Sequence, residues 1–146
     1  MPNARLTQRL YTQQDCARLF ISPIQQAWLF DRASLTNKLQ AICPELKVKT
    51  RFEGWGTAYP FERQALELTH HRVWIREVSL CCETTPWIYA RSVTSTVAKG
   101  QPWAFVRHQG EQPLGQRLFQ DATIERDEFF FSQWQWPRLI SNWPQA

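Results

Sequence analysis

Trp74-Ile75-Arg76-Glu77-Val78-Ser79-Leu80-Cys81-Cys82 and, after Glu83-Thr84-Thr85-Pro86, Trp87-Ile88-Tyr89-Ala90-Arg91-Ser92-Val93-Thr94 decide how this chain is built. Both runs read as strands. With successive side chains on opposite faces, Trp74, Arg76, Val78, Leu80 and Cys82 point one way, and Trp87, Tyr89, Arg91 and Val93 share a face of the partner. The polar stretch between them ends in proline and suits a hairpin loop. Pairing Cys82 with Trp87 places Val78 opposite Arg91 and makes Arg76 its diagonal neighbour, about 7–8 Å away. Two cations that close, among Trp, Tyr, Leu and Val, repel and lose hydration unless an anion lies between them. One reading is therefore a half-buried receptor for a small anion such as a carboxylate. The other leaves both arginines at strand ends, reaching to water and pairing with Glu77 or Asp127.

Upstream of the hairpin, Leu46, Val48, Thr50 and Phe52 alternate with Lys47, Lys49, Arg51 and Glu53, which predicts a half-buried strand. Gly54-Trp55-Gly56 then breaks the pattern. Before it, Ser22-Pro23 is an N-cap with proline at the first helical position, opening a short helix through Ile24, Ala27, Trp28 and Phe30. Ser34 caps a second, with Leu35, Leu39 and Ile42 facing the core, and Pro44 ends it. The two suggest a helical hairpin laid on the sheet. Pro60–Leu68 fits a short helix or an ordered loop, and Trp103–Val106 a brief helix or an extended piece.

Downstream, Gln112-Pro113-Leu114-Gly115 opens a helix through Phe119. The amides of Leu114 and Gly115 have no partner within that helix, and glycine lets a ligand approach the backbone. They form a carboxylate site or simply bond to water. Ala122–Phe131 is a final strand candidate. A helical start followed by hairpin-connected strands predicts an α+β fold, one domain over residues 1–146 with a mainly antiparallel sheet.

Composition narrows the function classes. The 146 residues carry a formal charge of +4 and eight tryptophans, with 43% hydrophobic and 21% charged residues. That is an ordinary balance for a soluble globular domain. The basic residues are dispersed, whereas a nucleic-acid binder gathers them in a stripe, so an aromatic-rich binder of single strands is a remote reading. Adjacent Cys81 and Cys82 project to opposite faces, no CxxC occurs, and His70, His71 and His108 complete no zinc spacing. All four cysteines are expected as free thiols in a reducing compartment. No apolar run follows Arg5 and Arg9, so neither a signal peptide nor a membrane span is expected, and the default is a soluble cytoplasmic protein.

Three blocks then become familiar in their order: Trp74-Ile75-Arg76-Glu77-Val78-Ser79-Leu80-Cys81, Pro86-Trp87-Ile88-Tyr89-Ala90-Arg91, and Pro113-Leu114-Gly115-Gln116-Arg117-Leu118-Phe119 followed by Arg126-Asp127. With Trp28-Leu29 and Ser34-Leu35-Thr36, they resemble the chorismate pyruvate-lyase family from about Trp28 to Phe131. The resemblance implies an α+β fold with a buried product site under helical flaps. It implies elimination of pyruvate from chorismate to give 4-hydroxybenzoate for ubiquinone, by a monomer with no metal and no organic cofactor. Carried across, Arg76 holds the ligand carboxylate and the backbone of Leu114 and Gly115 completes that anion site. Leu35 stands where the family places an apolar ligand contact, and Arg91 matches its second arginine. Arg76 and Arg91 are thus the expected catalytic pair.

The pattern departs near the end. The family continues with a Trp-x-Arg-Arg-Ser segment and a last strand carrying a glutamate toward the ligand's ring oxygen. Here Trp136-Pro137-Arg138 is an echo of that segment, residues 132–146 read as a divergent tail, and the last acid is Glu128. A truncated or frame-shifted copy, a divergent member, and replacement of the acid by Glu128, Asp127 or Glu77 are all open. The alternative function is a homologue that binds small aromatic carboxylates without turnover.

Overall fold

Ser22 and Ser34 each start a helix by accepting a hydrogen bond from the amide three residues on, as hydroxyl caps before an apolar run should. The computed structural model describes residues 10–17 and 21–132. In chain order the elements are α1 (Gln13–Ala17), α2 (Pro23–Leu29), α3 (Leu35–Ile42), β1 (Leu46–Thr57), α4 (Pro60–Ala65), β2 (Arg72–Cys82), β3 (Thr85–Thr94), a 3-10 turn (Ala104–His108) and α5 (Leu114–Gln120). The strands form one antiparallel sheet in the order β1-β2-β3. This is the α+β class that the hairpin and the helical start predict.

The chain falls into two compact units. The larger runs from Ser34 to Asp121; described residues on either side of it form the other. α2 and α3, expected as a helical hairpin, belong to different units. Within the larger unit both sheet faces are covered. Ala58, Val73 and Ile75 gather on one face with Leu68 and Val93. On the other, Trp74, Val97 and Val106 gather with Phe105 and Leu114. On α3, Leu39 is buried, but Ile42 is 60% exposed, contrary to its place in the expected apolar stripe.

β1 does not stop at its glycines. A Cβ on Gly56 would lie 2.5 Å from Ile75 Cδ1, so the bare backbone leaves room for a core side chain and the strand continues to Thr57. The expected strand over Ala122–Phe131 does not form. Only Phe131 is bridged, to Tyr11, by two hydrogen bonds of 2.8 Å. The groups before it bond elsewhere: Arg126 Nη1 donates to the Arg32 carbonyl, and Arg32 Nη2 to that of Asp127. From Gln133 onward the tail lies outside the described residues.

The cysteines also differ from expectation. Cys43 and Cys82 are joined in a disulfide, while Cys16 and Cys81 are free and buried. Cys43 is the C-cap of α3, and Leu46 just beyond it pairs with Cys82, so the sheet register carries the two Cα atoms to 6.0 Å. Residues 39 apart in sequence give no local sign of this.

Candidate functional site

The hairpin closes two residues tighter than its sequence suggests and then slips back by one, and that changes which side chains meet. Cys82 pairs with Thr85 across a two-residue turn at Glu83-Thr84, where Glu83 takes a left-handed φ of 53°. After an irregularity between Leu80 and Cys81, Glu77 pairs with Arg91 and Arg76 with Ser92. A one-residue slip moves every side chain to the other face. Arg76 and Arg91 therefore lie on opposite sides of the sheet, and the expected paired-arginine cradle does not exist.

Arg91 is instead part of a clamp. Its Nε donates to Glu62 Oε1 at 2.7 Å and its Nη1 to Glu77 Oε1 at 2.6 Å, with the guanidinium 4.4 Å from the Tyr59 ring centroid. Glu62 Oε2 also accepts from the Tyr59 amide, so one carboxylate starts α4 and anchors it to β3. Burial pushes the Arg91 guanidinium down, but Glu62 and Glu77 outweigh it and hold it above the ordinary arginine range. The same surroundings, burial first and then the Glu77 hydrogen bond, raise the Tyr89 phenol. The ion-pair alternative, with Glu77 as partner, describes Arg91.

Arg76 is the buried cation, 2% exposed in mid-strand. Its Nη2 donates to the carbonyls of Gly110 (2.7 Å) and Gln112 (3.0 Å), which fixes the loop leading into α5 against the sheet. The Gln109 amide supports that loop through the carbonyls of Gln112 and Pro113. Burial pushes Arg76 down from the usual arginine value, and the charge of Glu53 opposes the shift. A guanidinium this far from water is stable only with acceptors around it.

Glu53 was not among the acids singled out from sequence. Simple alternation puts it outward with Lys47 and Lys49. A bulge at Arg51 resets the strand: Thr50 pairs with Val78 but Phe52 with Glu77, so Glu53 comes opposite Arg76 and Trp55 opposite Trp74. Arg51, the extra residue, donates to Ser79 Oγ. Around Arg76 several polar atoms are buried without partners: Arg76 Nε, Glu53 Oε1, Trp74 Nε1 and Thr94 Oγ1. Each costs about 1–3 kcal/mol when left unmade. A cluster of them with mixed donors and acceptors, beside the apolar Val97, Val106 and Leu114, can hold a small polar ring compound away from water.

The other expected residues are placed as follows. Leu114 packs beside Trp74 and begins α5, whose N-cap Pro113 offers no side-chain cap to the first amides, those of Leu114 and Gly115 among them. Leu35 begins α3, which touches α5, and is 42% exposed. Arg107 stands 5.1 Å over the Trp74 ring, a cation that sequence reading passed over. Glu77 lies on the Arg91 side, and Asp127 and Glu128 belong to the other unit. Among the described residues no three His, Cys, Asp or Glu gather as a metal-holding group. No helix among them is long and apolar enough to cross a membrane.

A family model described as chorismate lyase matches residues 6–136. The chain belongs to the chorismate lyase family. A probable chorismate pyruvate-lyase of Hydrogenovibrio crunogenus is 35% identical over 124 residues, covering 80% of this chain and 62% of that protein. One from Halorhodospira halophila, of the same description, is 42% identical over 106 residues, 72% of this chain and 56% of its own. A chorismate pyruvate-lyase of Sodalis glossinidius is 34% identical over 109 residues, or 74% and 62%. This chorismate lyase family member therefore spans about three-fifths of the length of the relatives it matches.

Proposed function

We propose that this chain is a chorismate pyruvate-lyase, releasing pyruvate from chorismate to leave 4-hydroxybenzoate for ubiquinone. The ring C–O bond to the enolpyruvyl group breaks and a ring hydrogen is lost, which completes the aromatic system. The departing enolpyruvate takes up a proton and becomes pyruvate. Aromatisation drives the reaction, so the protein mainly fixes a reactive conformer and excludes water. One observation carries this reading: a buried arginine whose Nε has no hydrogen-bond partner, on the sheet face that also carries Trp74 and the cluster around it. Family membership supports it.

In this reading Arg76 takes the ring carboxylate, the backbone at Leu114 and Gly115 completes the anion site, and Leu35 supplies an apolar contact. The second carboxylate needs a cation on the same face; Arg107 over Trp74 meets that need where Arg91 does not. The enzyme acts as a monomer in the cytoplasm, and residues 1–146 serve as one domain.

The test is direct. Purified protein mixed with chorismate should produce 4-hydroxybenzoate absorbance and an equal amount of pyruvate. Tight 4-hydroxybenzoate binding without either product favours the non-catalytic homologue. Absence of both binding and turnover rejects the proposal.

A further inference from the structure

Glu53 and Arg76 are register partners on one sheet face, yet they do not close into an ion pair. Burial strips away the water that screens opposite charges, so neighbours of this kind ordinarily collapse together. Here Arg76 Nη2 is taken by two loop carbonyls, while Arg76 Nε and Glu53 Oε1 are both buried without a hydrogen-bond partner. In the next row Trp74 pairs with Thr94, and Trp74 Nε1 and Thr94 Oγ1 are likewise unpartnered. Of the five such side-chain atoms among the described residues, four stand on these two rows; the fifth is Arg63 Nε. Folded proteins keep buried polar groups satisfied, so this concentration marks a place completed by something other than the described residues.

The chemical sense of the four atoms restricts what completes them. Two are N–H donors, one is a carboxylate acceptor, and the threonine hydroxyl serves as either. A bare carboxylate satisfies the donors but faces the like charge of Glu53. The occupant must also bring a hydrogen-bond donor, and a hydroxyl does. We propose that Glu53 is a specificity-determining residue that accepts a hydrogen bond from a hydroxyl on the acid held by Arg76. The site then selects hydroxylated ring carboxylic acids over their deoxy counterparts. This rests on the reading of Arg76 as the carboxylate-binding cation.

Calorimetric titration of the full chain with benzoate and its three hydroxy isomers tests it. At least one isomer should bind about 10-fold or more tighter than benzoate, the scale of a hydrogen bond to a charged acceptor. In Glu53→Ala that advantage should shrink to about 2-fold or less, with benzoate affinity kept or improved. Glu53→Gln, which preserves the shape, should reduce it partway and decides the matter if the alanine variant does not fold. A hydroxyl advantage unchanged in the folded variants, or absent from the native chain while benzoate binds, sinks the role of Glu53 alone. Benzoate binding that survives Arg76→Ala removes the underlying reading, and the proposal with it.

Discussion

Arg76 and Arg91 are the same residue type on neighbouring strands, and their surroundings give them different work. Arg76 gives Nη2 to two neutral carbonyls and keeps its Nε unsatisfied, so its loss should remove ligand stabilisation; Arg76→Ala is expected to lower chorismate turnover by about 100-fold or more. Near-normal turnover by that variant would contradict the role given to it. Arg91 already has two carboxylates, and Arg91→Ala leaves Glu62 and Glu77 uncompensated. Because the pairs are only partly buried, about 2–4 kcal/mol of unfolding free energy should go, read by urea denaturation, with ligand affinity little changed. Tyr89 adds a pH dependence. Its pKa is raised in the folded state, so its contribution is complete below about pH 10, where the unfolded tyrosine begins to ionise, and declines as pH rises toward the folded value. Tyr89→Phe should flatten the alkaline fall in stability above about pH 10.

At the level of elements, the strands and capped helices were readable because each is encoded locally. Ser22, Ser34, the alternation of β1 and that of β2 all act within a few residues. Which face a side chain occupies was less readable, because a single residue decides it and turns and bulges are set by tertiary pairing. The irregularity between Leu80 and Cys81, where Trp87 is the extra residue, moved Arg91 away from Arg76, and the Arg51 bulge brought Glu53 toward it. Of the expected site residues, Arg76 holds the loop that leads into α5, and Leu114 packs against the Trp74 cluster on the same face; Glu53 and Thr94 gave no signal because an isolated polar residue in a strand looks like surface. The Glu83-Thr84 turn is strained. A non-glycine residue at positive φ costs about 1–3 kcal/mol, so Glu83→Gly should stabilise the hairpin, by up to about 1 kcal/mol after the added chain entropy of glycine. A lower melting temperature for that variant would mean the Glu83 side chain contributes more than its backbone costs.

For the molecule as a whole, the covalent tie between Cys43 and Cys82 is the feature with the widest reach. A loop of this size stabilises the fold by about 2–4 kcal/mol. Thiol titration of the unreduced, denatured chain should count two reactive groups out of four cysteines, and four would show that the bridge does not form in solution. The ring it closes contains both Glu53 and Arg76. A protease cutting the connection between β1 and β2, near Leu68 and His70, would therefore sever the backbone without separating the two strands. The nicked product should migrate as one band on a non-reducing gel and as two once a reductant is added.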